Sequence, residues 1–162
     1  MIIVSNTSPI TNLAAIERLD LLEKLYGHVL VPEAVMAEMG ASGADAGEFM
    51  LISRLHWIET REVSNRPVVS SLLLELDLGE AEAIALAMEA KADLLLMDER
   101  RGRKAASHLG LQVLGLLGVL MDAKHRGFAD EIKPILDALI LKAGFWINKQ
   151  LYSLVIETAG EK

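Results

Sequence analysis

Apolar residues in this chain fall into short unbroken runs, and amphipathic or Ala-rich stretches lie between them. Residues 2–5 predict a buried strand, 9–25 a helix in two pieces, and 28–31 a second strand. Pro32 sits where a helix would start, since its fixed φ and missing N–H suit a first turn, and residues 33–39 continue that helix. Residues 40–47 are small and flexible and predict a loop. A short helix follows over 49–55, then a strand over 57–63 at a sheet edge, then a helix over 68–76. Residues 79–90 are rich in Ala and Glu and strongly helical. Residues 93–97 are almost pure Leu, as a strand inside a parallel sheet should be. A helix over 99–109, a short strand over 111–114 and a helix over 117–124 come next. Helices near 130–142 and 148–159 close the chain.

Buried strands alternating with helices imply α/β architecture: a three-layer α/β/α sandwich with a mainly parallel central sheet. No linker, repeat or low-complexity tract interrupts the pattern, so residues 1–162 read as a single domain, with C-terminal helices from about residue 130. In such sheets ligands bind at the carboxyl ends of the strands. The residues directly after each buried strand are therefore the first places to look for chemistry.

Composition narrows the picture. A length of 162 residues suits one self-sufficient core, and the absence of cysteine excludes disulfides and thiolate metal sites. The N-terminus opens on a strand-like run rather than a signal peptide. A reducing, cytoplasmic setting is the expectation. The hydrophobic fraction is 52% and the mean hydropathy +0.33, yet no apolar run reaches the roughly 18 residues that span a bilayer. The surplus apolar surface predicts a homo-oligomer, a dimer by preference, with residues 13–25 and 135–156 as interface material if they are not core. The net charge of −7 argues against a protein that coats nucleic acid by bulk attraction. It leaves room for a nuclease, because a metal pocket needs clustered carboxylates.

Two strand ends carry short oxygen-bearing side chains. The first strand runs into Ser5-Asn6-Thr7-Ser8, and the Leu-rich strand into Asp98-Glu99-Arg100-Arg101. Mg²⁺ prefers oxygen ligands, commonly one or two carboxylates plus waters. Alternatively, Asn6 and Asp98 merely cap the helices that follow them. Glu80 opens the Ala-rich helix, where the helix dipole alone would favour a carboxylate. Glu82 lies two residues on and faces another side. Arg100, Arg101, Arg103 and Lys104 sit at a helix N-terminus that disfavours cations, so they contact either RNA phosphates or neighbouring carboxylates. The four histidines lie near no nucleophile elbow, and only 4% of residues are aromatic, which offers no stacking platform. Gly115 and Gly118 suit a turn and close packing better than phosphate binding.

Taken in order, VSNTSPI, VPEAVMAEM, GEAEAIALA and LLLMDERRGRKAA resemble the signature blocks of the PIN-domain family. They look closest to a PIN-like branch related to VapC-type toxins, with the similarity covering roughly residues 1–125. The resemblance implies a metal-dependent ribonuclease that gathers acidic residues around Mg²⁺ or Mn²⁺. It carries the metal and catalytic positions onto Asn6, Glu38, Glu80 and Asp98, with Glu82 as a fallback for Glu80. Thr7 or Ser8 would support them by orienting water. Arg103 matches a basic position of the branch and leads Arg100, Arg101 and Lys104 as an RNA contact. Without the family, Glu38 reads as a solvated helix residue.

Asn6 departs from the family pattern, where Asp is usual. It offers a carbonyl oxygen without charge, so the pocket should attract a cation less strongly. Two functions follow as expectations. One is an endoribonuclease, the toxin of a toxin–antitoxin pair with an antitoxin protein as partner. The other is a catalytically weakened scaffold that binds RNA or protein. A phosphotransfer receiver is excluded, because that chemistry needs adjacent acids after the first strand.

Overall fold

A computed structural model describes residues 1–41 and 46–162. Five strands form one sheet: β1 (Ile3–Ser5), β2 (Val29–Pro32), β3 (Ile58–Arg61), β4 (Leu94–Leu96) and β5 (Val113–Leu114). Their order is β3-β2-β1-β4-β5, and every pairing is parallel. The chain steps outward from β1 to β3, then crosses back to place β4 on the other side of β1. The reversal puts a crevice outside the carboxyl ends of β1 and β4, the usual ligand position in open parallel sheets.

Both faces of the sheet are covered. Ile3, Val29, Val31 and Leu96 point into one core with α1 (Thr7–Ala15), α2 (Asp20–Tyr26), α8 (Leu116–His125) and α9 (Lys133–Lys142). Val4, Leu30 and Leu95 point the other way, into a core with α5 (Arg66–Leu72), α6 (Leu78–Glu89) and α7 (Arg100–His108). This alternation is the period of two of a pleated strand, and it makes the three layers. The remaining helices are α3 (Glu33–Ala41), α4 (Ala46–Ser53) and α10 (Lys149–Thr158). No helix of the described residues is long and apolar enough to cross a membrane.

Several boundaries differ from the sequence pattern. Pro32 ends β2 opposite Arg61 instead of opening α3. Of the residues 40–47 expected as a loop, α3 takes those up to Ala41 and α4 those from Ala46; residues 42–45 lie outside the described residues. α5 begins at Arg66 because the Asn65 side chain caps it, accepting from the Val68 amide at 3.3 Å, with Pro67 in its first turn. Leu13, Leu21, Leu22 and Leu25 are buried, so these side chains of residues 13–25 belong to the core.

α6 is buried continuously from Gly79 to Ala87. It contacts β1, β2 and β4, and its small Ala side chains let it lie close against the sheet. That position brings its N-terminus to the crevice.

Candidate functional site

Asn6 and Asp98 flank the crevice from the ends of β1 and β4. Asn6 takes the N-cap position of α1, yet its side chain makes no cap hydrogen bond. Its Nδ2 donates to Glu99 Oε2 at 3.3 Å, while its buried Oδ1 has no partner among the described residues. Simple capping is thus not what Asn6 does. Asp98 does cap a helix, but not the one that follows it. Its Oδ1 accepts from the Leu116 amide at the start of α8, at 2.7 Å, and its Oδ2 is buried and unpartnered. The hydroxyls of Thr7 and Ser8 are likewise buried without hydrogen-bond partners. An unsatisfied buried oxygen costs about 1–3 kcal/mol, so four at one strand edge call for an explanation.

Two helices bring the other carboxylates. Glu38, in the last turns of α3, reaches across to α6: a methyl group added at Gly79 would run into its carboxylate. The glycine is therefore what allows this approach. Glu80 sits one residue further on and is only 7% exposed. It forms a reciprocal capping box with Asp77, whose Oδ1 accepts from the Glu80 amide at 2.8 Å while Glu80 Oε1 accepts from the Asp77 amide at 3.1 Å. The free side of the Glu80 carboxylate faces Gly102 of α7.

The electrostatics bind these groups into one set. Burial raises the Glu38 pKa, the charges of Asp77 and Glu99 raise it further, and the Thr7 hydroxyl, close by without full hydrogen-bond geometry, holds it back. Glu80 is also raised, first by burial and then by Asp77 and Glu99, against the Asp77 amide. Asp98 is raised by burial; the Leu116 amide and Arg103 oppose this, and Glu99 adds to it. Glu99 thus acts on all three. Mutual repulsion of this kind is relieved by protons or by a cation.

Glu82 belongs elsewhere. Although it is as buried as Glu80, at 6% exposure, it accepts from the Ala34 amide at 3.0 Å and from Arg66 Nη1 at 2.7 Å. It clasps the start of α3 and is not brought to the crevice, so as a fallback for Glu80 it does not serve. The cations of α7 also separate. Arg103 lies beside Asp98, both close to Gly115, whereas Arg101 and Lys104 line a different groove with His108 and Glu75. Arg100 is exposed.

Asp77 and Glu99 are the site residues that sequence reasoning missed. Their signals were present: Asp77-Leu78-Gly79-Glu80 has capping-box spacing, and Glu99 directly follows Asp98.

Among the described residues no three His, Cys, Asp or Glu side chains form a group that could hold a metal ion by themselves. A hard cation does not require that. One or two carboxylates, a neutral oxygen and waters are enough for Mg²⁺, and the orphaned oxygens of Asn6, Thr7, Ser8 and Asp98 beside self-repelling carboxylates fit such a donor set.

A doubly wound parallel sheet with an acidic, oxygen-lined crevice at its switch point defines the class. A family model for DUF3368, a PIN domain, matches residues 2–161, and the chain belongs to that family. PIN domains are in general nucleases, hydrolases that typically use divalent metal ions. No curated protein matches the chain.

Proposed function

We propose that this protein is a metal-dependent endoribonuclease whose centre is formed by Asn6, Glu38, Glu80 and Asp98, with Thr7 and Ser8 in support. The observation that carries this reading is the set of four unpartnered buried oxygens beside carboxylates that repel one another. A bound Mg²⁺ or Mn²⁺ supplies activation of a water and charge relief on the scissile phosphate. Asp98 Oδ2, Glu80 and Glu38 provide the negative charge that holds the cation, and Asn6 Oδ1 a neutral oxygen. The Leu116 amide fixes the Asp98 carboxylate in place. Thr7 and Ser8 offer hydroxyls to orient water. Arg103, exposed beside Asp98, offers a guanidinium to a phosphate.

A second reading has support of its own. Asn6 lacks a charge, and no tight acidic trio is present among the described residues. On this reading the crevice is a weakened scaffold that binds RNA or protein. The toxin role with an antitoxin partner rests on the resemblance to VapC-type toxins. The proposed dimer rests on exposed apolar side chains of α9 and α10, Leu141 and Leu154 foremost. A cytoplasmic location is proposed from the absence of cysteine.

RNA cleavage in Mn²⁺ by the native chain, Asp98→Ala and Asn6→Asp separates the two readings. Cleavage by the native chain that Asp98→Ala abolishes supports the nuclease. Cleavage only after Asn6→Asp supports the weakened scaffold. Equal cleavage by all three would remove the proposed centre.

A further inference from the structure

Asp98 lines a cavity of about 520 Å³ that carries both polar and apolar side chains. That is within the roughly 300–1,000 Å³ of ligand sites. Its polar lining includes Asp98, Glu99, Ser8 and Arg103, and its apolar lining includes Phe145, Trp146, Ile147 and Leu151, from the connector between α9 and α10 and the start of α10.

Two features mark this lining as a contact surface. The chain has only two tryptophans, and they differ sharply: Trp57 is 4% exposed, Trp146 81%. An aromatic side chain of this size buries about 150–250 Å² when covered, and Trp146 forgoes that burial by standing in water at the cavity. Arg103 makes no ion pair among the described residues, although it stands next to carboxylates. Gly115 keeps the passage open, since a Cβ there would lie 2.9 Å from Arg103 Nη1 and 3.0 Å from Asp98 Oδ1.

We propose that this cavity is a nucleotide subsite that stacks one unpaired RNA base on Trp146 while Arg103 takes an adjacent phosphate. This deepens the nuclease reading and rests on it for the choice of RNA as occupant. The lining matches a nucleotide in its chemistry: a flat π-face meets an exposed indole, and an anion meets a free guanidinium. A duplex would not suit it, because its bases are stacked on one another and hide their faces.

The test is binding, read independently of cleavage. In an Asp98→Asn background, a fluorescein-labelled oligouridylate is titrated by anisotropy against the full chain, with Trp146 intact, Trp146→Phe or Trp146→Ala. The expected result is a loss of roughly 5- to 150-fold on Trp146→Ala, the range for removing one stacked base, with Trp146→Phe retaining most of the affinity. Arg103→Gln should weaken binding and lower the salt dependence by about one counterion. An oligomer of abasic residues should bind the native side chains no better than Trp146→Ala binds the oligouridylate.

Equal affinity of the Trp146 variants, or no RNA binding at all, overturns the subsite. So does a shift from dimer to monomer on Trp146→Ala with RNA affinity unchanged, which would assign the indole to a protein interface. The two readings fail separately. Trp146-dependent binding without cleavage by the native chain in Mn²⁺ keeps the subsite and removes the nuclease. Asp98-dependent cleavage with Trp146-independent binding does the reverse.

Discussion

The C-terminal tail and the crevice both hold partly buried carboxylates, and they treat them in opposite ways. Glu161 is fully provided for. Its oxygens accept from Lys124 Nζ at 2.7 Å and from the Ile132 and Lys133 amides at 2.9 Å each, tying the chain end to the start of α9. Burial pushes its pKa up, but the lysine and the two amides outweigh this and leave it lowered. At the crevice, Glu38, Glu80 and Asp98 are all raised. The first arrangement stabilises the fold. The second works against it, and a fold tolerates such a cluster where function requires it.

Glu80 and Glu82 make the same contrast within one helix, and they give the largest expected effect. Both are buried on α6, two residues apart, and only Glu80 faces the crevice. Glu80→Gln can still accept from the Asp77 amide, so the capping box survives. Its RNA cleavage in Mn²⁺ should fall by more than the about 10- to 100-fold that loss of a supporting residue costs at a metal centre. Glu82→Gln should lose less than tenfold, because it acts only through the placement of α3. Comparable losses in the two variants would mean that burial, not position, made Glu80 matter.

The next effect falls on stability. Glu161→Ala leaves two amides without their acceptor and Lys124 with the Ala159 carbonyl alone, which should cost about 1–3 kcal/mol. At this chain length that is roughly 2–4 °C of Tm per kcal/mol. Cleavage per folded molecule should be unchanged. A Tm within error of the native protein would show that the tail carries none of the fold's stability.

The contrast was only half legible in the sequence. Strands other than β3, whose sequence is Ile-Glu-Thr-Arg, announced themselves as apolar runs, and the parallel order followed from their alternation with helices. Asn6 and Asp98 were found because strand ends in such a sheet converge. Which carboxylates are satisfied could not be read, because satisfaction depends on partners distant in the chain: Arg66 and Ala34 for Glu82, Lys124 and Lys133 for Glu161. Adjacency to Asp98 marked the place of Glu99, but its influence on three other acids exists only once α3, α6 and β4 meet. A fraction of 4% argues against a platform on average; that one tryptophan, Trp146, is left in water is a local fact that an average does not register.

Opposite pKa shifts give opposite pH behaviour. For the crevice acids, the folded state holds its protons more tightly than the unfolded chain. Their contribution is therefore most favourable below the ordinary carboxylate pKa, about 4, and is lost as pH rises through the folded values. For Glu161 the stabilisation is present above the ordinary pKa and is lost as pH falls through the lowered one. In chelator, Asp98→Asn should raise Tm at neutral pH and do little in acid. Glu161→Gln should lower Tm at neutral pH and matter less in acid. Added Mn²⁺ should raise the Tm of the native chain at neutral pH by mass action, and raise that of Asp98→Asn less. The same sign for both variants would break the comparison.

The smallest effect tests the point where the chain departs from an all-acid edge. Asn6 Nδ2 now donates to Glu99, one of the few attractive contacts in the crevice. Asn6→Asp replaces that donor with one more like charge, facing Glu99 across the same gap. In chelator Tm should drop modestly at neutral pH, because the new charge meets the field that already raises Glu38, Glu80 and Asp98. With Mn²⁺ the drop should shrink or reverse, since the added charge would also attract the cation. Asn6 would then mark a balance, a weaker cation site accepted for a more stable apo fold. If instead Asn6→Asp lowers Tm equally with and without Mn²⁺, the asparagine serves Glu99 alone, and its unpartnered Oδ1 plays no part in holding metal.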